Sequence, residues 1–302
     1  MYCEATSLVE HDPCVGESET CLCIGDVTVS ILSGTSSAIS ADLNIFRIQK
    51  SVPNIAVTLR WADGIDTLQR KMTFDSGAVW KLSREADDFV FDFSSTAIGT
   101  GSYKQMRTSD FVSAEMILNA ALLPKDVWAL EYPADELLIT NYLAQYGLGV
   151  EVHGCGLIDP ERGGFLFLGH SGAGKTTTTR LWQSVRNPEI LSDDRIILRL
   201  HNGELWMYGT PWHGDAGIAS PGRARLSQIF FLEQAPVDQI VPISQSNAAA
   251  ELFARTFVPF YLKSGIQFSL GFLDQVTRSV PCSTFRFTPA ASAVEAIRHA
   301  RV

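Results

Sequence analysis

The chain reads as an α/β protein in two parts, a mainly β N-terminal region over residues 1–130 and an α/β domain over residues 131–302. Three observations predict this. Apolar residues alternate along several short segments of the first half. The composition changes near Pro133 into helical and strand-like stretches that follow one another. Between an apolar run and a helical one stands Gly169-His170-Ser171-Gly172-Ala173-Gly174-Lys175-Thr176, which spells G-x-x-x-x-G-K-[ST], the pattern of a phosphate-binding loop.

The elements follow in order. Val27, Val29 and Ile31 alternate, as do Ile55, Val57, Leu59 and Trp61 before the turn Ala62-Asp63-Gly64, and then Phe89, Phe91 and Phe93. Period-two spacing broken by Gly, Asp and Ser predicts a half-buried antiparallel sheet. Nothing in this half looks catalytic, and it is read as a structural cover for the second half, with substrate recruitment or oligomerisation as the other roles open to it. Ala134 to Tyr146 reads as a helix, entered at Pro133 and stopped by Gly147. Gly149 to Gly154 reads as a strand continuing toward Ile158, and Asp159 to Gly164 as a turn into the strand Gly164 to Leu168, so a hairpin precedes the glycine-rich loop. Thr177 to Val185 runs as a helix. After the breaker Asn187-Pro188 come strands at Ile190 to Leu198, Glu204 to Tyr208 and Gln228 to Leu232, with the polar, aromatic turn Thr210 to Asp215 between them. Helices at Asn247 to Arg255 and Ala290 to Arg301 flank a strand at Ser279 to Phe287. No internal repeat or low-complexity run occurs.

Composition bounds the function. With 302 residues, 46% of them hydrophobic, the chain has ample material for a packed core. A net charge of −9 favours neither nucleic acid nor an anionic membrane as partner. No apolar run reaches the roughly 18 residues needed to span a bilayer, and the N-terminus lacks the basic and apolar regions of a secretory signal, so a cytoplasmic protein is expected. Four of the six cysteines, Cys3, Cys14, Cys21 and Cys23, fall in the first 23 residues together with His11. Thiolates and imidazole ligate zinc, but Cys21-Leu22-Cys23 lacks the two-residue spacing of common zinc modules. The first ~25 residues are therefore read as a loose arm with reduced thiols.

The loop supplies the chemistry. Its glycines bring backbone N–H groups close to a polyphosphate, and the helix N-terminus adds partial positive charge. The nucleotide is expected along Gly169, His170, Ser171, Gly172, Ala173, Gly174, Lys175, Thr176 and Thr177. His170, in the variable part of the loop, either touches phosphate or faces solvent. Lys175 adds a mobile cation for the β- and γ-phosphates, and the Thr176 hydroxyl suits Mg²⁺. One helix later comes Asp193-Asp194, two carboxylates able to divide metal ligation and proton acceptance between them. His153, on the strand paired with the loop strand, is either a structural histidine or a catalytic one. Arg223 and Arg225 either neutralise phosphate or lie in a solvated loop.

His153-Gly154, the loop from Gly169 to Thr176 and Ser192-Asp193-Asp194-Arg195 together resemble the catalytic domain of HPr kinase/phosphorylase, in the group it shares with ATP-dependent phosphoenolpyruvate carboxykinase. Thr210-Pro211-Trp212 and the apolar strand ending Phe231-Leu232-Glu233-Gln234 are similar to stand-alone HPr-kinase-like proteins found beside peptide-modification genes. The resemblance covers roughly residues 148 to 302 and not the N-terminal half. It implies ATP and Mg²⁺ as cofactors and an HPr kinase-like P-loop fold. It makes Lys175 the holder of β- and γ-phosphates and Thr176 a metal ligand. Asp193 becomes the proton acceptor, Asp194 a metal partner (an assignment that can be exchanged), and His153 a nearby active-site histidine. It also implies a tendency to form homo-oligomers. The stretch by which true HPr kinases engage their partner has no counterpart, so the acceptor expected is a hydroxyl, of Ser or Thr type, on a peptide, protein or small molecule. The competing expectation is a nucleotide-binding scaffold in a peptide-modification or maturation complex, without phosphotransfer. Carboxykinase chemistry ranks last, since it calls for a basic carboxylate-binding cluster and further metal ligands spread along a longer chain, for which this short chain offers few candidates.

Overall fold

The alternating segments of the first half bury one face, and that fixes the first layer. In the computed structural model, which describes residues 18–34, 40–66, 70–124, 130–186 and 188–300, this half contains β1 (Ser18–Ile24), β2 (Val27–Ser33), α1 (Ala41–Asn44), β3 (Arg47–Ile48), β4 (Ile55–Ala62), β5 (Lys71–Asp75), β6 (Trp80–Glu85), β7 (Asp88–Ser94), β8 (Ser102–Thr108) and β9 (Ser113–Asn119). In β4 the alternation is strict: Ile55, Val57 and Leu59 are buried, while Ala56, Thr58 and Arg60 are exposed. The nine strands form one sheet in the order β3-β1-β2-β4-β9-β8-β7-β6-β5. The expected antiparallel sheet is a mixed one, because β4 runs parallel to both β2 and β9. Alternation specifies which face a side chain takes and is silent on strand direction.

The N-terminal arm also needs correction. Cys21 and Cys23 belong to β1, which pairs along its length with β2, and Cys21 is buried. Both are free thiols, and burial pushes the Cys23 thiol up. Cys3, His11 and Cys14 lie outside the described residues. Gly25 and Asp26, both at positive φ, make the tight turn between β1 and β2. That turn meets the second half of the chain. The Gly25 carbonyl accepts from Arg199, and the Asp26 carboxylate accepts from Tyr208 and pairs with Arg223.

The second half contains α2 (Ala134–Gln145), β10 (Gly149–Asp159), β11 (Gly163–Leu168), α3 (Lys175–Arg186), β12 (Glu189–Ser192), β13 (Arg195–His201), β14 (Glu204–Gly209), β15 (Arg223–Gln234), β16 (Gln239–Pro242), α4 (Gln245–Phe253), α5 (Lys263–Ser279), β17 (Cys282–Phe287) and α6 (Ser292–His299). The chain is thus mixed α/β with two large sheets. In the second sheet β11, β10, β13, β14 and β15 pair in that sequence, and β15 pairs back on β11, closing a ring. On β11, Leu166 and Leu168 join the core shared with α4 and α5, while Phe165 and Phe167 face the opposite way toward α3 and α6. There Phe165, Phe167, Trp182, Phe230 and Phe285 form a stack of rings with centroids 5.4–6.4 Å apart.

α2 occupies the expected span. It packs through Leu137, Leu138, Ile139 and Leu143 into the core of the first sheet, which also takes in Ile197, Tyr208, Trp212 and Leu262. Gly147 ends it at φ +65°, and Leu148 N–H closes back on the Leu143 carbonyl. Two expectations fail nearby. The strand expected from Ser279 begins only at Cys282, and Ser279 is the last residue of α5, a 17-residue helix that the sequence reading passed over. Arg223 and Arg225 lie in β15, paired with Asp26 and Glu204, at the end of β15 away from the glycine-rich loop. No described helix is long and apolar enough to cross a membrane.

Candidate functional site

The 169–174 loop leaves β11 at its C-terminal end and enters α3 at Lys175. Gly172 and Gly174 stand at φ +81° and +106°, conformations that L side chains rarely adopt. A Cβ on Gly174 would lie 2.5 Å from the Phe287 ring, whereas one on Gly172 would enter open space. The loop is held from outside by Gln234, whose amide donates to the Gly172 carbonyl at 2.9 Å. Lys175 is 8% exposed, and its ammonium donates to the loop's own carbonyls, Gly169 at 2.9 Å and His170 at 3.5 Å. Burial pulls the Lys175 amine down, with the Asp194 charge opposing.

The acidic pair sits at a break between two strands, not within one. β12 and β13 both run antiparallel to β10, and Asp193-Asp194 spans the gap between them opposite Gly154, whose N–H donates to the Asp194 carbonyl at 2.8 Å. The buried Ser192 hydroxyl accepts from the N–H groups of Asp194 and Arg195 and fixes the turn. The two carboxylates then go different ways. Asp193 is 2% exposed and accepts from three backbone N–H groups, Gly214 at 3.0 Å, Ala216 at 2.9 Å and Ile218 at 3.3 Å. Asp194 points to His153, with Oδ1 2.8 Å from Nε2. Burial pushes the Asp194 carboxyl up, but the hydrogen bond and charge of His153, with Arg195 and Lys175 beyond, leave it below the usual carboxylate range.

Behind Asp194 lies a buried charge network. Arg195 Nη1 is 2.9 Å from Glu136 and 3.7 Å from Glu151, its Nε is 3.6 Å from Asp194, and its guanidinium lies 4.5 Å over the Phe257 ring. Burial raises both glutamates; the charge of Glu136 raises Glu151 further, whereas the hydrogen bond with Glu151 pulls Glu136 down. Arg195 thus ion-pairs with three acids, Glu136, Glu151 and Asp194.

One cavity of about 480 Å³ collects most of the sequence-identified residues: His153, Ser171, Gly172, Gly174, Lys175, Thr176, Thr177, Asp193 and Asp194. Gly169 and Ala173 are buried beneath the loop, and His170 is exposed on its outer side, so these three do not line it. Gly214, Asp215 and Gln234 line it as well, although the sequence reading gave them no role. Their signals were present. Gly214 and Asp215 close the polar turn after Trp212, and Gln234 ends the strand that runs parallel to β11, where ligands of such sheets gather.

Among the described residues no group of three or more His, Cys, Asp or Glu side chains could hold a metal alone. A divalent cation in this cleft would therefore be completed by phosphate oxygens and water, which is how Mg²⁺ is usually held.

No family model matches the sequence, and no curated protein matches it. Among solved structures the chain is similar to the Hpr(Ser) kinase/phosphatase from Coxiella burnetii, at 14% identity and a TM-score of 0.26, over 49% of this chain and 90% of that one.

Proposed function

We propose that the chain is an ATP-dependent kinase, built on a P-loop domain of the HPr kinase and phosphoenolpyruvate carboxykinase type, that moves a γ-phosphate to a hydroxyl group. The observation that carries this reading is the shared cleft: Lys175 and Thr176 line the same 480 Å³ cavity as an acidic pair whose second member is hydrogen-bonded to a histidine. A nucleotide-binding scaffold has use for the loop but none for a carboxylate–imidazole pair facing it.

The roles follow from the bonding. Loop N–H groups and Lys175 would hold the β- and γ-phosphates. The acceptor oxygen attacks the γ-phosphorus, the new O–P bond forms as the bridging bond to the β-phosphate breaks, and ADP leaves with that electron pair. The hydroxyl proton passes to the Asp194–His153 pair. This exchanges the roles first assigned to the two carboxylates. Asp193 spends three of a carboxylate's roughly four acceptor sites on backbone amides, so it holds the 214–218 segment in place. Thr176 and the remaining acceptor capacity of the doublet would hold Mg²⁺, which when bound neutralises phosphate charge.

The test is incubation with γ-labelled ATP, Mg²⁺ and serine- or threonine-containing peptides, followed by ADP release and label transfer. Label on a hydroxyl, abolished in Lys175→Ala, is the expected result. Tight ATP binding with neither ADP release nor labelled product sinks the proposal in favour of the scaffold.

A further inference from the structure

Beside the cleft, and lined in part by Phe257, lies another cavity of about 360 Å³ that the catalytic roles leave unused. Its walls are rings: Phe74 and Trp80 from the first sheet, Tyr132 before α2, and Phe257, Phe260 and Tyr261 after α4. Phe74 and Trp80 stack at 5.4 Å, and Tyr261 packs tilted against Phe74 and edge-on against Trp80. Tyr132 and Phe260 are more than half exposed at the rim.

Two polar atoms of this wall receive no hydrogen bond, Glu136 Oε1 and Asn141 Oδ1; the first has the Arg195 guanidinium 2.9 Å away, which leaves Asn141 as the unfinished one. Asn141 is 1% exposed, and its amide nitrogen donates to the Leu137 carbonyl at 2.7 Å and to the Tyr261 hydroxyl at 2.8 Å. Its oxygen receives no donor. The Leu137 carbonyl can only accept, so the amide cannot be turned over. A buried acceptor left open costs stability, and in an aromatic box it marks where a ligand's donor belongs. A cationic ligand is disfavoured, since Arg195 already lies against Phe257 at 4.5 Å and pairs at 2.9 Å with Glu136, the carboxylate in this wall.

The cavity is tied to the catalytic pair by one short segment. The Arg255 carbonyl accepts from His153 N–H at 2.7 Å, Phe257 N–H donates to the Glu151 carbonyl at 2.9 Å, and the Phe257 ring stands 6.4 Å from the His153 ring. We infer that this cavity is an acceptor-specificity subsite that takes a planar apolar group with a single hydrogen-bond donor, an indole or phenol lying next to the phosphorylated hydroxyl. The inference rests on the kinase reading for its role, though not for its binding chemistry.

The experiment uses blocked pentapeptides with a central serine flanked on both sides by Trp, by Phe or by Arg, titrated calorimetrically into the full chain. The Trp peptide should bind about tenfold tighter than the Phe peptide, with the Arg peptide weakest. Asn141→Leu should erase the Trp-over-Phe preference. Phe260→Ser, a change at an exposed ring that leaves the fold intact, should weaken both aromatic peptides about equally. Equal or stronger binding of the Phe or Arg peptide overturns the subsite, as does no binding by any of them. ATP binding and turnover by the wild-type chain are measured in parallel. ATP consumption without aromatic preference removes the subsite alone, whereas absent ATP binding with the preference intact removes the kinase reading and leaves the pocket.

Discussion

Two cavities of nearly equal size sit on the two sheets, and they treat charge in opposite ways. The one on the first sheet, about 450 Å³, is lined by Arg60, Arg70 and Arg107. Each of these is matched: Arg60 with Glu115 at 2.7 Å, Arg70 with Asp92 at 3.2 Å and Arg107 with Glu85 at 2.9 Å. In the cleft after β11, the ammonium of Lys175 has only backbone carbonyls of its own loop within hydrogen-bond reach among the described residues. Volume and positive charge alone therefore do not mark an anion site. A cation already matched by carboxylates would have to break those pairs to take an anion, whereas one parked on loop carbonyls exchanges two neutral acceptors for a charged one.

The sharpest way to break this contrast is Lys175→Ala. Removing the parked cation should lower phosphate transfer about a thousandfold, about 4 kcal/mol of transition-state stabilisation, and also weaken ATP binding. Initial rates with labelled ATP check it. A variant within tenfold of wild type means that the loop amides alone do the electrostatic work.

Next in size is the separation of the two aspartates. Asp194→Asn should cost about a hundredfold in transfer with ATP affinity held within about twofold, as expected for a proton acceptor. Asp193→Asn should instead lower the unfolding free energy by about 1–3 kcal/mol, because an amide cannot accept from all three N–H groups of the 214–218 segment. Paired kinetics and urea unfolding distinguish them. The reverse pattern, with Asp193→Asn stable but inactive, restores the first assignment.

The difference between these neighbours was invisible in the chain itself, and the reason is general. Local patterns were readable. Ile55, Val57 and Leu59 announced β4, Gly147 announced the end of α2, and the loop with its flanking strand and helix stands where its spelling placed it. What distinguishes Asp193 from Asp194 comes from residues 21 to 25 positions away and from a histidine 41 positions away, and no local periodicity encodes such partners. The parallel pairing of β4 with β2 and β9 was hidden for the same cause. α5 was missed because Gly265 and Gly271 break the expected composition of a helix. Gly265 is there for packing, since a Cβ would stand 2.7 Å from Pro259.

A smaller effect tests whether charge is ever left strained outside the cleft. Asp135 is fully buried, and burial pushes its carboxyl up to about 6, against hydrogen bonds from Trp212 and from the Glu136 N–H. A carboxyl raised in the folded state costs nothing below its unfolded value near 4. The cost grows as pH rises toward 6 and is constant above it. Asp135→Asn removes that pH-dependent cost and adds a constant one, because the asparagine amide group must face one of the two donors. The stability of the variant relative to wild type should therefore rise by about 2–3 kcal/mol between pH 4 and pH 7, whatever its offset. Urea midpoints at both pH values measure the slope. A flat difference shows that Asp135 titrates as an ordinary carboxyl.

The smallest expected effect closes the comparison from the matched side. Arg60 in β4 and Glu115 in β9 pair diagonally, since Glu115 stands opposite Thr58 and Arg60 opposite Ile117, and both side chains are at least 40% exposed. Such a pair gains little Coulomb energy in water and loses side-chain entropy on forming. Arg60→Ala should therefore shift stability by no more than about 1 kcal/mol. Phosphate transfer should not change, since the cleft after β11 lies on the other sheet and shares no lining residue with this cavity. Raising the salt concentration should shrink even that loss, because the screening that weakens an exposed pair acts on wild type and not on the variant. A transfer rate that falls with Arg60 would mean that the two sheets are energetically linked. The natural place to look for the link is then the Gly25–Asp26 turn, where the first sheet meets Arg199, Tyr208 and Arg223 of the second.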